Sequence, residues 1–77
     1  MISERSTRAQ LGRHLRTIRK ERGFTQAALG AAVGLGVYDI HLTERYPQLY
    51  LTPERLTLLA TALGVTVENM REQKNGD

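Results

Sequence analysis

The chain has 77 residues, no cysteine and a formal net charge of +3 at pH 7, with a sequence pI near 9.8. A domain this small buries only about 60% of the surface its unfolded chain exposes. With no disulfide framework and no thiolate metal site to draw on, packed helices must carry the fold and self-association would help them. The opening MISERSTRAQ lacks the apolar stretch of a signal peptide, and no run approaches the roughly 18 apolar residues of a membrane span, so a soluble cytoplasmic protein is expected.

Taken in chain order, Thr7-x-x-Gln10 has the form of a capping box, and Leu11, Leu15 and Ile18 follow at i, i+4 and i+7 as one apolar stripe. Helix 1 should end near Arg22, with Gly23 as its stop. Arg13, Arg16 and Lys20 project away from the stripe, and Arg19 sits on its flank. Residues 1–22 hold seven basic residues against Glu4 and Glu21, whereas residues 23–77 hold four basic against six acidic. A polyanion is therefore met by the front of the molecule. A merely solvated helix face is the alternative for any single arginine.

Thr25 is an N-cap residue for a short helix 2 that carries Leu29 and Val33 and stops at Gly34. Gly36 then precedes helix 3, Val37 to Arg45, with Ile40 facing inward. Tyr46 to Leu51 reads as an apolar loop, because Pro47 discourages continuation of the helix and the apolar residues show no helical period. Thr52-Pro53-Glu54 opens helix 4 with a capping hydroxyl, a proline at the first helical position and an acid at the positive end of the dipole. Its buried stripe is Leu56, Leu59, Ala60 and Leu63, and Gly64 stops it. A last turn capped by Thr66 brings Val65, Val67 and Met70 to the core. The expected fold is all-α: a compact bundle of five short helices over residues 8–70, with a basic N-terminal arm at 1–7 and a polar C-terminal tail at 71–77.

Gly23-Phe24-Thr25-Gln26, Leu29, Val33-Gly34, Ile40, Glu44-Arg45, Leu59-Ala60 and Ala62-Leu63-Gly64-Val65 together resemble the lambda-repressor-like (Cro/XRE-type) helix-turn-helix family of DNA-binding domains. The likeness covers about residues 8 to 70. It implies that helix 3 lies in the major groove. It implies that Gln26, at the N-terminus of helix 2, clamps a backbone phosphate, and that Arg19 and Glu44 tie helix 1 to the end of helix 3 by a charge-assisted hydrogen bond. Base-facing positions carried over from the family are Val37, Tyr38 and Leu42, with Gly36 and His41 alongside. Thr25 beside Gln26, and Arg5 and Arg8 ahead of helix 1, complete the expected DNA-contacting set.

The sequence departs from the family at several of these places. Two of three principal readers are aliphatic, so bidentate recognition of guanine or adenine is absent. Asp39 is unwelcome near phosphates, although a helix N-terminus gives it a local reason. Thr43 stands where a large apolar side chain is usual and Gly30 where alanine is usual, so helices 2 and 3 are expected to pack less tightly. The loop after helix 3 has no lysine or arginine, and its apolar area suits a partner surface unless Leu49 and Leu51 simply cover the core.

No arrangement of titratable groups suggests an enzyme: Asp39 and His41, two apart, point to different sides of a helix, and His14 lies on another. No metal, cofactor, small-molecule substrate or membrane partner is implied. The expected function is a transcriptional regulator, a repressor, binding double-stranded DNA at a palindromic operator as a homodimer, with Tyr46, Leu49, Tyr50, Val67 and Met70 at the interface. The alternative is an antitoxin (HipB-like) that binds a toxin protein and represses its own operon. Such antitoxins resemble this chain from Gln10-Leu11 through Thr25-Gln26 and have a proline-containing loop after helix 3. A restriction-system controller protein is a third reading, which no residue singles out.

Overall fold

Among the described residues, threonine side chains open three of the helices and glycines close three. The computed structural model describes residues 8–71, and among these are six helices and no strand: α1 (Arg8–Glu21), α2 (Gln26–Val33), α3 (Val37–Arg45), α4 (Pro47–Tyr50), α5 (Pro53–Leu63) and α6 (Val67–Arg71). Thr25 Oγ1 accepts from the Ala28 N–H at 2.9 Å, Thr52 Oγ1 from Arg55 at 3.1 Å, and Thr66 Oγ1 from Asn69 at 2.9 Å. These are N-cap bonds that satisfy otherwise orphaned donors. At the other ends, Gly23, Gly34 and Gly64 adopt φ of 81°, 76° and 76°, a left-handed conformation that L-residues with a Cβ avoid. Thr7 and its half of the expected capping box, the arm through Arg5 and the tail from residue 72 lie outside the described residues, as does the side chain of Arg8.

The expected loop after helix 3 contains a further helix, so the bundle has six helices where five were anticipated. Pro47 ends α3, since its ring and missing N–H cannot continue the ladder, but the same residue occupies the first position of α4, where its fixed φ is already helical. Tyr46, at φ −128° and ψ 63°, makes the break between the two. Backbone bonds from the Tyr50 and Leu51 N–H groups to the Tyr46 and Pro47 carbonyls close the turn at 3.1 and 2.8 Å.

The core draws on every helix, α4 contributing only the fully buried Pro47. Leu11, Leu15 and Ile18 of α1, Leu29 of α2, Ile40 of α3, Leu56, Leu59, Ala60 and Leu63 of α5 and Met70 of α6 are buried together, and Leu51, just past α4, joins them. Each large side chain contributes about 1.5–3 kcal/mol relative to an exposed position. Around this core α3 packs against both α1 and α2, α4 lies across α1 and α3, and α6 closes α1 against α5. His14 Nδ1 donates to the Met70 carbonyl at 3.0 Å and links the first helix to the last.

Two glycines set how closely the helices approach. A Cβ on Gly30 would stand 2.5 Å from the Leu35 carbonyl oxygen, and one on Gly12 would collide with the Glu44 carbonyl oxygen. The expectation of looser packing at Gly30 is thus reversed: the missing methyl lets the turn fold back onto α2, where the Leu35 N–H donates to the Gly30 carbonyl at 2.8 Å. Thr43 does not loosen the packing either. It is fully buried, and its hydroxyl donates to the Asp39 carbonyl at 2.7 Å while accepting from an Arg55 guanidinium N–H at 3.2 Å.

One buried ion pair fixes α3 against α1. Arg19 Nε donates to Glu44 Oε2 at 2.5 Å, its Nη2 reaches Glu44 Oε1 at 3.3 Å, and its Nη1 donates to the Phe24 carbonyl at 2.8 Å. Both side chains are almost wholly withdrawn from water. Removing one member leaves the other charge buried without its partner, so Glu44→Ala should cost about 3 kcal/mol, the low end of the range for such pairs because the Phe24 carbonyl still accepts from Arg19. Equal denaturation midpoints for the variant and the wild type would contradict a structural role for the pair. Helix propensity alone predicts that Gly30→Ala stabilises by about 1 kcal/mol. The carbonyl contact reverses the sign, and urea denaturation should show a net loss of about 1–3 kcal/mol.

Candidate nucleic-acid interface

Helix α2 presents its N-terminus with Thr25 and Gln26. The Thr25 hydroxyl accepts the cap bond described above and keeps its own O–H to donate. Gln26 is half-buried, and its Nε2 donates to Glu44 Oε1 at 3.1 Å. The proposed phosphate clamp is therefore joined to the Arg19–Glu44 pair, a link that its place in the sequence did not reveal because the partner stands 18 residues on.

The turn that follows aims α3. Gly34 in the left-handed region reverses the chain, and Gly36 caps α3 with extended backbone, its N–H donating to Asp39 Oδ2 at 3.2 Å. Asp39 thus closes the first turn of α3, the local role anticipated for an acid at this end of a helix.

Ile40, Thr43 and Glu44 form the buried face of α3. The opposite face is open: Tyr38 is 67% exposed and Val37 51%, His41 and Arg45 are exposed, and Leu42 is half-buried. The Tyr38 and His41 rings stack with centroids 6.1 Å apart and 18° between planes. The structure therefore brings Gly36, Val37, Tyr38, His41 and Leu42 together at and along one helix, with Thr25 and Gln26 at the head of the neighbouring one. Arg45, part of the Glu44-Arg45 pair that ends α3, lies on the same open side with its guanidinium 5.8 Å from the Tyr46 ring centroid.

The expected interface residues divide. Tyr46, Leu49 and Tyr50 are exposed, Leu49 to 72%, while Leu51 is 3% exposed and belongs to the core. Val67 is half-buried against the core. Met70, expected both in the core and at the interface, is fully buried: the helical period that brings it inward in α6 gives it the core role and leaves nothing of it exposed for a partner. Leu58, on the outer side of α5, is an exposed apolar residue outside the expected buried stripe, since it falls between the buried positions. Arg55 was also missed. Its guanidinium reaches back to Thr43 and to the Tyr50 carbonyl, at 3.2 and 3.3 Å, and no local motif announces contacts so far along the chain.

Among the described residues no three His, Cys, Asp or Glu side chains are grouped to hold a metal ion, and no helix is long and apolar enough to cross a membrane. No curated protein and no solved structure matches the chain. Residues 10–73, a span that begins within α1 and runs past the end of α6, match the family described as a helix-turn-helix domain. With α2, the glycine turn and α3 arranged as above and most of its length matched, the chain belongs to the helix-turn-helix domain family, a family of DNA-binding modules.

Proposed function

We propose that this protein is a Cro/XRE-type transcription regulator, acting as a repressor, that binds a palindromic operator as a homodimer in the cytoplasm. The observation that carries the reading is α3 itself: a helix pinned along its inner face by Ile40 and Glu44 that leaves Val37, Tyr38 and His41 free on the outer one. A helix with its side chains is about 10–12 Å across, which matches a major groove about 12 Å wide. Val37 suits a thymine methyl, Tyr38 a base edge or phosphate, and Gln26 with the first N–H groups of α2 suits the backbone.

Two such helices reach successive major grooves only when held about 34 Å apart, which is the geometric reason for a dimer. Tyr46, Leu49 and Tyr50, exposed together on and beside α4, supply apolar surface for it, with Val67 as a further candidate. The same surface supports the second reading, an antitoxin that uses α4 to hold a toxin protein and its helix-turn-helix to repress its own operon. The thin equipment of α3 for base recognition favours that reading; the basic α1 and the open face of α3 favour DNA as the main partner.

A titration of the DNA upstream of the protein's own gene against random duplex at fixed salt should give a preference of about a thousandfold or more. A ratio within about tenfold would rule out a sequence-specific regulator. Tyr38→Ala should lower operator affinity by about tenfold while leaving the oligomeric state unchanged. Tyr50→Glu should convert the dimer into a monomer in light scattering; a wild-type protein that is already monomeric, with no co-purifying partner, would remove both uses of α4.

A further inference from the structure

Beside α3 runs an open cleft of about 400 Å³, bordered by Gly12, Arg13 and Arg16 of α1, by Gln26, and by His41 and Arg45 of α3. Ala9 and Gly12 give its α1 wall two positions with almost no side chain, and Gly12 brings that wall down onto the Glu44 carbonyl. Three guanidinium groups therefore edge a hollow that no large side chain fills. Glu44 is the carboxylate at its border, and it is already engaged by Arg19 and Gln26. Arg13 and Arg16 are exposed, and neither has a salt-bridge partner among the described residues. The cleft thus carries positive charge that the protein leaves uncompensated.

We infer that this cleft seats a phosphate of the DNA backbone, with Arg13 and Arg16 as binding cations on α1. The inference rests on the reading that α3 enters the major groove. A helix fills that groove from wall to wall, so the flanking phosphates must meet whatever stands beside it. Packed helices lie about 8–10 Å apart, which puts the arginine face of α1 at the groove wall, and Gln26 at one border of the same cleft meets the strand from the side. The contact positions the domain and reads no sequence. Free phosphate-bearing small molecules offer the same chemistry, and the experiment separates the two sources.

The test is the salt dependence of binding to random duplex for the full chain and for Arg13→Gln/Arg16→Gln, with Arg22→Gln/Arg71→Gln as a charge-matched control on exposed arginines outside the cleft. Neutralising that one phosphate contributes a slope of about one in log Kobs against log salt. The cleft variant should lose about that much slope and bind about tenfold or more weakly at low salt, while the control loses less than half a unit. Unchanged melting temperature by circular dichroism shows that the fold survives. Equal loss in the control, or no loss in the cleft variant when the wild type binds duplex, overturns the cleft while leaving DNA binding intact. Wild-type protein that binds no duplex overturns both. Thermal stabilisation by inorganic phosphate that the cleft variant lacks, alongside an unchanged DNA slope, assigns the cleft to a free anion and overturns the backbone contact.

Discussion

The orientation of α3 depends on a charge pair withdrawn from water. Ile40 holds the middle of α3 to the core, but a single apolar contact leaves a nine-residue helix free to roll. Glu44, one turn further on, prevents this because its two oxygens are engaged by Arg19 and Gln26 from two other helices. Coulomb attraction is strong where the surroundings polarise little, and so is the cost of separating the partners there. The bond to the Phe24 carbonyl extends the same network to the connection between α1 and α2. One carboxylate thereby registers three helices in a domain with little core to spare.

Glycine supplies the complementary constraint. Where the ion pair holds α3 in rotation, Gly12 and Gly30 set its distance, by letting a backbone carbonyl occupy the space of a side chain. Charge and absence of bulk act on the same helix: Gly12 lies against the end of α3 that carries Glu44, and Gly30 against the turn that begins it.

Much of this was legible in the chain because the signals are local. Thr25, Thr52 and Thr66 each act on a donor three residues away, Gly23, Gly34 and Gly64 each satisfy a local backbone demand, and the leucine periods of α1 and α5 repeat within single helices. Pro47 was half legible: its power to end a helix and its fitness to begin one are carried by the same ring, and only the surrounding packing decides which is used. Gly30, Thr43, Arg55 and the second partner of Glu44 were not legible, since each depends on atoms from a different segment that spacing alone does not bring near. The same division holds at the candidate interface. The open face of α3 follows from the position of Ile40, whereas the separation of Leu49 from Leu51 required the three-dimensional arrangement.

Gln26 gives this architecture a thermodynamic consequence. A glutamine on a helix surface samples several rotamers, and fixing it on association costs up to about 2 kcal/mol of entropy. Here Glu44 already holds one amide N–H, so that loss has been absorbed in folding, while the second N–H and the carbonyl oxygen remain for a ligand. A pre-set amide forfeits less freedom on binding than a mobile one. The carboxylate that orients α3 therefore also stiffens the group beside it, and recognition at α2 begins from a side chain with little disorder left to lose.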